Sequence, residues 1–420
     1  MIRFKSNWYG ILLTLFLVPG TLVCQMTDGV VLASNNSPNF SPTGPNAAES
    51  GEAQKYPVGT RETMDQPEYL VGSYSHFDTI FPAKAVPRPD NIWTFHRSPR
   101  EPDIHYYYHG EQFSLGDYLK RSPTTGLLIA RDDTILFEHY QYGRTDRDRL
   151  TSQSMVKTIV AMLFGIAMSE GRIRSVDDFA AAYVPELKGS EYGKTPIRDL
   201  LHMSSGIKVN ESSDQADVLS WSVKNDGEMI ARIDTRAATP GTRFSYNGID
   251  TEVLALILHN VIDRSLSDYL SEKVWKPIGA ESDASWIIDS SGQEVGYFGF
   301  NAVLRDYARL GRLLAWDGCW QGNQIIPKQW IIDSTTNRNS DPPLAPGAAT
   351  PFLGYGYQVW ILPGSRRMFA LLGAHGQYIF VDPTSKLVMV QTAVRPKPIS
   401  PEDAETFHLW LTIVKQLGGD

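Results

Sequence analysis

The first strong pattern of apolar positions along the chain lies within residues 124–143. Two apolar runs, 127–129 and 135–137, are separated by the turn-forming pair Asp132-Asp133. Apolar runs of this length on either side of a short polar turn are typical of a β-hairpin. We therefore predict that folding proper starts with two antiparallel strands.

The period of the pattern changes at Ser152, after which apolar residues recur at helical spacing. The pattern stops at Glu170-Gly171, and glycine commonly follows the last turn of a helix. The segment is apolar almost all round, which predicts a central, buried helix. Its apolar positions are Met155, Val156, Ile159, Val160, Leu163, Ile166 and Ala167.

The remaining chain divides into a helical part and a strand-rich part. Residues 175–289 show mostly helical spacing, and another helix is predicted within 301–318. After residue 354, β-like runs alternate with turns, and Ser400-Pro401 predicts the start of a closing helix. Strands at both ends with helices between them indicate an α+β fold. We expect an antiparallel sheet flanked by helices and built from both chain ends, with an inserted, mostly helical subdomain at about 175–300.

The N-terminal residues 1–24 have the pattern of a signal peptide. Arg3 and Lys5 precede an apolar run, 9–18, that is too short for a membrane span. We therefore expect export to the periplasm or the medium, with no stable membrane span beyond this segment. Two alternatives remain open, an uncleaved anchor and lipid attachment at Cys24, although the preceding residue is a bulky valine.

The next residues predict little regular structure. Residues 25–60 are rich in Ser, Asn, Pro and Gly without apolar periodicity, which predicts a disordered linker. Scattered aromatic residues and prolines at 69–108 indicate an arm wrapped on the main domain. We expect one folded domain over residues 61–420.

Composition and charge narrow the range of functions. The net charge is −8 and no run of basic residues occurs, so nucleic acid is not an expected partner. The chain has only two cysteines and no His-Glu-x-x-His stretch, which argues against a disulfide scaffold and against a zinc site. We expect chemistry that requires neither a metal nor another cofactor.

The central chemical pattern is Ser154-Met155-Val156-Lys157, at the start of the buried helix. Residues three apart lie on one helix face, so the lysine amine can reach the serine hydroxyl. A serine hydroxyl becomes a good nucleophile when a nearby base takes its proton, and a lysine can be that base when it is neutral. The helix N-terminus also offers free N–H groups for the oxyanion that forms on attack.

The same spacing recurs at Ser205-Gly206-Ile207-Lys208, so the spacing alone is a weak signal. Glycine within that second tetrapeptide and turn residues around it leave no stable helix face. A structural alternative for Ser154 is a helix cap next to a surface lysine. The context of a buried helix favours Ser154 and Lys157 as the catalytic pair.

Two further segments carry candidate site residues. A Pro-Gly turn at 240–241 places Tyr246 on a loop ahead of a predicted helix, where its hydroxyl could relay protons. The segment 373–377 is predicted to begin a strand whose glycines let a substrate approach, with the Gln377 N–H as an oxyanion donor. Taken singly, Tyr246 could equally be a packing residue, and His375 a hydrogen-bonded core histidine.

Together these elements resemble the serine β-lactamase and penicillin-binding protein superfamily. The likeness extends over roughly residues 69–417 and is closest to the class C-like branch that includes 6-aminohexanoate-dimer hydrolase. It implies that Ser154 is the acylated serine, Lys157 the base and Tyr246 the second proton-transfer residue. The stretches that carry it are TTGLLIARDDTILFEHYQYG, TSQSMVKT, LLHMSSGI, PGTRFSYNGIDTEVLALIL, NAVLRDYARLGRLL and GAHGQYIFVDP.

The chain departs from the pattern of this superfamily at two motifs. Where the tyrosine motif usually reads Tyr-x-Asn, this chain has Tyr246-Asn247-Gly248. Where β-lactamases have Lys-Thr-Gly on the strand, it has Ala374-His375-Gly376, which lacks the cation that holds a β-lactam carboxylate. This difference favours an amidase or esterase over a penicillin-recognising enzyme.

We therefore predict a serine hydrolase that cleaves an amide or ester bond of a small molecule through an acyl-Ser154 intermediate. The substrate would contact His375, Gly376 and the N–H groups of Ser154 and Gln377. One alternative is a β-lactamase or DD-peptidase that acts on drugs or cell-wall peptides. A second alternative is a penicillin-binding-like protein that binds a ligand without catalysis.

Overall fold

The computed structural model describes residues 37–210, 226–337, 341–399 and 402–419. The predicted signal peptide, the first part of the predicted linker and the Ser400-Pro401 cap lie outside these ranges. Elements are numbered here in chain order. The helices are α1 (Pro67–Ser75), α2 (Phe77–Ile80), α3 (Leu115–Arg121), α4 (Val156–Ser169), α5 (Ile197–Leu201), α6 (Asp226–Ile230), α7 (Gly248–Val261), α8 (Leu266–Leu270), α9 (Leu304–Ala315), α10 (Lys328–Ser334) and α11 (Glu402–Leu417).

Within the described ranges the main sheet has nine strands, in the order β1-β7-β6-β17-β16-β15-β14-β13, with β3 also paired to β7. The pairs from β7 to β13 along this order are antiparallel, whereas β1 and β3 lie parallel to β7. The strands are β1 (Asn39–Phe40), β3 (His96–Arg97), β6 (Thr124–Arg131), β7 (Thr134–Tyr140), β13 (Gly354–Tyr355), β14 (Trp360–Ile361), β15 (Phe369–Gly373), β16 (Gln377–Asp382) and β17 (Leu387–Ala393).

A second sheet of four strands has the order β2-β9-β10-β8 and leads the chain towards the start of α4. Two small hairpins, β4–β5 and β11–β12, complete the strands of the described residues. These strands are β2 (Ala83–Val86), β8 (Leu150–Thr151), β9 (Ala284–Ile287), β10 (Phe300–Ala302), β4 (His105–Tyr108), β5 (Glu111–Ser114), β11 (Cys319–Trp320) and β12 (Asn323–Gln324).

The central strands of the main sheet are buried on both faces, which explains their unbroken apolar runs. Along β17, Val388 and Val390 join the core that contains α4 and α9. Leu387 and Met389 alternate with them and join a separate core beneath α11. Successive side chains of a strand point to opposite faces, so one continuous run supplies both cores.

The predicted fold class is confirmed. The hairpin of β6 and β7 comes from the N-terminal half and pairs with β17 from the C-terminal end. Helices α5 to α8 fall within the region predicted to be helical, which also contains β9. None of the helices among the described residues is both long and apolar enough to cross a membrane.

The prediction of a disordered linker over 25–60 is wrong for residues 37–60. In this segment β1 pairs with β7, and the Ser41 N–H donates to the Tyr140 carbonyl at 2.8 Å. Ala47 and Tyr56 are buried. Backbone pairing and isolated aromatic side chains hold the segment in place, and neither leaves a periodic pattern in the sequence.

The prediction that residues 373–377 begin a strand is also wrong in part. Gly373 is the last residue of β15, residues 374–376 form a 3-10 turn, and only Gln377 begins the next strand, β16. His375 and Gly376 both have left-handed backbone angles, with φ of 63° and 92°. Two successive residues in that region turn the chain back, so the extended conformation stops there.

Candidate active site

Ser154 lies in the short connection between β8, a strand of the second sheet, and the buried helix α4. Strand β8 ends at Thr151, and the Ser152 N–H then donates to the Phe300 carbonyl at 2.7 Å. Gln153 has a left-handed φ of 45°, which turns the chain into a short 3-10 segment, Gln153–Met155, ahead of α4. The serine is partly exposed at the start of an otherwise buried helix.

Lys157 is buried, with 3% of its surface exposed, and its amine points at the serine. Its Nζ lies 3.0 Å from Ser154 Oγ. The same nitrogen donates to the backbone carbonyl of Tyr297 at 2.8 Å. The two contacts fix the direction of the amine, so that in the neutral form its lone pair can accept the hydroxyl proton.

Tyr246 flanks this amine from a neighbouring loop. The Lys157 Nζ lies 5.1 Å from the centre of the Tyr246 ring and 5.6 Å from that of Tyr297. The loop is held because the Ser245 N–H donates to the Met203 carbonyl at 2.7 Å. The structure therefore brings Ser154, Lys157 and Tyr246 together in one place, with the Tyr246 ring beside the lysine amine.

An aromatic wall extends the site beyond Tyr246. The Tyr246 ring lies 5.2 Å from Trp360 and 6.1 Å from Tyr355, measured between ring centres, and Phe244 lies 5.0 Å from Tyr355. Burial raises the pKa of Tyr355 well above its usual value, and the neighbouring Tyr246 and Asp250 act in the same direction. Tyr355 therefore remains a neutral hydroxyl at physiological pH.

The side chain of Asn247 caps the helix α7 that follows it and does not take part in the contacts around Ser154 described above. Its Oδ1 accepts from the Asp250 N–H at 2.8 Å, which caps α7, and its Nδ2 donates to the Ser245 carbonyl at 3.0 Å. The shift of asparagine by one position in the tyrosine motif thus places this side chain in a structural role.

The last residue of β15, Gly373, lies against the two residues that precede Ser154. A Cβ added at Gly373 would stand 2.3 Å from the Ser152 carbonyl oxygen and 3.1 Å from Gln153 Cβ, so only glycine allows this approach. Ala374 follows and is partly exposed. The strand β15 therefore meets the start of α4 at Gly373, and its last three residues are Leu371, Leu372 and Gly373.

His375, Gly376 and Gln377 lie deeper than Ala374. His375 is 7% exposed, and its Nδ1 lies 2.6 Å from the Arg395 carbonyl oxygen. Gln377 is 1% exposed, and its Nε2 donates to the Ala393 carbonyl at 2.6 Å. The side chains of His375 and Gln377 thus bind the backbone at the end of β17, and they do not line the space before Ser154.

The second Ser-x-x-Lys tetrapeptide has a different geometry. Ser205 is 2% exposed, its Oγ accepts from the Ile207 N–H at 3.3 Å, and Lys208 is exposed. Gly206, with φ of 72°, lies between them in a turn. The serine and the lysine do not share a helix face, as the sequence context indicates.

Two groups that contribute to the site have no signature in the sequence. The Tyr297 carbonyl is a backbone group that any residue could supply, so no residue type marks it. The wall formed by Tyr355 and Trp360 lies in an aromatic run whose packing against Tyr246 depends on the tertiary fold. Among the described residues, no group of three or more His, Cys, Asp or Glu side chains could hold a metal ion.

The family model described as "Beta-lactamase" matches residues 116–412, well over half of the chain. The chain belongs to the β-lactamase family. This family assignment agrees with the resemblance found in the motifs around Ser154, Tyr246 and Gly373.

Several known proteins are similar to the chain over most of its length. The 6-aminohexanoate-dimer hydrolase of Paenarthrobacter ureafaciens is 26% identical over 343 residues, which cover 78% of this chain and 86% of that protein. The solved structure described as "Putative 6-aminohexanoate-dimer hydrolase from Bacillus anthracis" has a TM-score of 0.77 at 25% identity and covers 84% of this chain and 96% of that one. A class C β-lactamase, at 17% identity and a TM-score of 0.54, covers 71% of this chain and 92% of its own and shares the fold.

Proposed function

We propose that this protein hydrolyses an amide or ester bond of a small linear substrate through a covalent acyl-Ser154 intermediate. The observation that carries the proposal is the position of the Lys157 Nζ, 3.0 Å from Ser154 Oγ and 2.8 Å from the Tyr297 carbonyl. Membership of the β-lactamase family supports hydrolysis in general. The 6-aminohexanoate-dimer hydrolase relative supports a linear amide as substrate class.

In the first step Ser154 Oγ attacks the substrate carbonyl carbon while the neutral Lys157 amine takes the hydroxyl proton. The carbon–nitrogen or carbon–oxygen bond then breaks, and Tyr246 delivers a proton to the leaving amine or alcohol. In the second step water attacks the acyl-serine ester, a proton passes back through the same groups, and the carboxylic acid leaves. No cofactor takes part in this scheme.

The negative charge that develops on the carbonyl oxygen requires N–H donors. We propose the N–H of Ser154 as one donor and that of Ala374 as the second. Ala374 is partly exposed and directly follows Gly373. The Gly373 backbone lies against Ser152 and Gln153, the two residues that precede Ser154. Gln377, which the sequence favoured for this role, is 1% exposed and is a poorer candidate, because a substrate must reach the donor.

The test is covalent labelling of the full chain with a fluorophosphonate, followed by mass spectrometry of the labelled peptide. We expect one adduct on Ser154, and Ser154→Ala should lose both the label and turnover of a p-nitrophenyl ester by a factor on the order of 10⁴ or more. Ser205→Ala is the matched control, because Ser205 is also followed by a lysine at the third position. Retention of turnover by Ser154→Ala, or its loss in Ser205→Ala, would show that the nucleophile is misassigned.

A further inference from the structure

Residues 37–81, here called the N-terminal arm, overlap only in part with the 69–108 segment predicted to wrap on the main domain. This arm contacts two backbone segments that border the proposed active site. Its helices α1 and α2 contribute Tyr74 and Phe77, which are 4% and 1% exposed. Tyr74 touches the turn 374–376, and Phe77 touches the segment 295–298. The proposed chemistry uses one backbone group from each segment, the Ala374 N–H and the Tyr297 carbonyl. A side-chain substitution within the segments does not remove these backbone groups.

The first contact joins the arm to the turn that follows β15. The ring of Tyr74 meets that of His375 edge-on, with their centres 5.3 Å apart. The Tyr74 hydroxyl donates to Asp65 Oδ1 at 3.0 Å, so the ring is anchored within the arm. On its other side His375 is tied to the Arg395 carbonyl through Nδ1, which must carry a hydrogen because a carbonyl oxygen only accepts.

The backbone of His375 explains why this support matters. Its φ of 63° lies in the left-handed region, which costs free energy for a residue other than glycine and persists only where the surroundings hold it. The His375 N–H donates to the Pro398 carbonyl at 3.0 Å, and the ring is held between Tyr74 and Arg395. The turn that begins beside the serine is therefore fixed at its second residue.

The second contact joins the arm to the acceptor of the lysine amine. Phe77, Val295 and Tyr297 belong to one buried apolar cluster, and the Phe77 ring meets Phe298 edge-on at 6.1 Å. The Tyr297 carbonyl accepts from Lys157 Nζ at 2.8 Å. A shift of this segment would move the acceptor and change the direction of the amine.

The arm is also tied to the second sheet through an acidic residue of α2. Asp78 Oδ2 accepts from Arg149, with an Nη2 to Oδ2 distance of 2.6 Å, and from the Ser285 hydroxyl at 2.7 Å. Arg149 directly precedes β8, the strand that leads to Ser154. The helix α2 is therefore tied to β9 and to the residue before β8, two strands of the second sheet.

We propose that the N-terminal arm is a positioning element of the active site, in which Tyr74 fixes the turn at His375 and Phe77 fixes the carbonyl acceptor of Lys157. The inference rests on the proposed function and adds to it two residues that touch neither substrate nor nucleophile. Catalytic groups must be held within a fraction of an ångström, so contacts of this kind act on the rate of the chemical step.

The experiment compares three substitutions of the same kind in the full chain, Tyr74→Met, Phe77→Met and Tyr56→Met. Tyr56 is buried in the same arm and packs edge-on against Tyr142, with no described contact to the 295–298 or 374–376 segments. The readouts are kcat and KM for a p-nitrophenyl ester, the rate of fluorophosphonate labelling, and the thermal midpoint. Tyr74→Phe, which keeps the ring, is the conservative variant.

We expect Tyr74→Met and Phe77→Met to lower kcat and the labelling rate about tenfold to a hundredfold, with KM changed less than about twofold. Tyr56→Met should lower the thermal midpoint by a similar amount and leave kcat within about twofold. Tyr74→Phe should recover most of the rate. Phe77→Met provides an independent test if Tyr74→Met does not fold.

Equal losses of kcat in all three methionine variants, or in none, would overturn the proposal, because the arm would then act on stability alone. A rate for Tyr74→Phe no better than that for Tyr74→Met would also overturn it. Failure of the proposed function gives a different result: Ser154→Ala, assayed in parallel, would retain turnover whatever the arm variants do.

Discussion

At the scale of single residues, Lys157 gives the sharpest test of the proposed base. Its amine lies between Ser154 Oγ and the Tyr297 carbonyl, a geometry that serves catalysis when the nitrogen is neutral. Arginine keeps a positive charge and hydrogen-bond donors, but a guanidinium cannot be deprotonated in a protein. We expect Lys157→Arg to lower kcat/KM by roughly 10³-fold or more, measured with a p-nitrophenyl ester. A variant with near wild-type kcat would refute the role of Lys157 as base.

The buried carboxyl of Asp250 should make the stability of the protein depend on pH. Burial, above all, raises the pKa of Asp250 to about 7, although the Tyr192 hydroxyl donates to its Oδ1 at 3.0 Å. The unfolded chain loses this proton near pH 4, so between about pH 4 and 7 the folded state binds more protons. The free energy of unfolding contributed by this group therefore falls as the pH rises through that window.

Asp250→Asn should remove this fall, because the amide stays neutral and can still accept from Tyr192. Urea denaturation gives the free energy of unfolding at pH 5 and at pH 8. The fall in this free energy between the two pH values should be smaller in Asp250→Asn than in the wild type, by roughly 1.4 kcal/mol per unit of pKa shift. Asp103→Asn is the control, since its side chain is 91% exposed. An unchanged pH dependence in Asp250→Asn would contradict the assignment.

Residue identities indicated the candidate reacting side chains but not the groups that hold them in place. Ser154, Lys157 and Tyr246 could be selected because each carries a group that the chemistry needs and each lies in a recognisable local context. The Tyr297 carbonyl and the Tyr74 ring could not be selected, since a backbone oxygen is common to all residues. One buried tyrosine among nineteen has no local signature either. Their roles arise from which segments the fold brings together.

At the scale of elements, Asn247 connects the tyrosine loop to helix α7. Its Oδ1 accepts from the Asp250 N–H at 2.8 Å in the geometry of an N-cap, with φ of −155° and ψ of 160°. We expect Asn247→Ala to lower the free energy of unfolding by about 0.5–2 kcal/mol, whereas Asn247→Ser, which also caps, should lose less. Urea denaturation measures both, and equal losses in the two variants would contradict the capping role.

Elements with a strong period were predicted well, and elements held by single contacts were not. The hairpin of β6 and β7 and the helix α4 follow runs of apolar residues that only one secondary structure can bury. The segment 37–60 and the turn 374–376 have no such period: backbone pairing of β1 with β7 orders the first, and left-handed angles define the second. Their conformations depend on partners far away along the chain.

At the scale of the whole molecule, the site forms where segments distant in sequence meet. The 3-10 segment 153–155 supplies the proposed nucleophile and helix α4 the proposed base. The loop before α7 supplies the tyrosine, the 295–298 segment the amine's acceptor, and β15 the glycine that lies against Ser152 and Gln153. The sheet built from both chain ends makes this possible, because it places β15 near the start of α4.

The charge of the residues next to Ser154 bears on which substrates the site would accept. β-Lactams carry a carboxylate beside the reactive amide, and the related drug-binding enzymes meet it with a strand lysine. The strand that approaches the serine ends in Leu371-Leu372-Gly373, and the turn after it, Ala374-His375-Gly376, also lacks a lysine or arginine. A carboxylate entering a partly desolvated cleft without a partner loses hydration at a cost of roughly 1–3 kcal/mol.

We therefore expect kcat/KM for a cephalosporin to be at least about tenfold lower than for a p-nitrophenyl ester of a short acyl chain. Ala374→Lys should narrow that gap, because Ala374 is partly exposed next to Gly373 and a lysine there can reach a carboxylate held near Ser154. Ala348→Lys adds the same charge at an exposed position on a different loop and should leave the ratio unchanged. Efficient cephalosporin turnover by the wild-type protein would favour a β-lactamase over the amidase or esterase proposed here, since the carboxylate would then need no cation on β15.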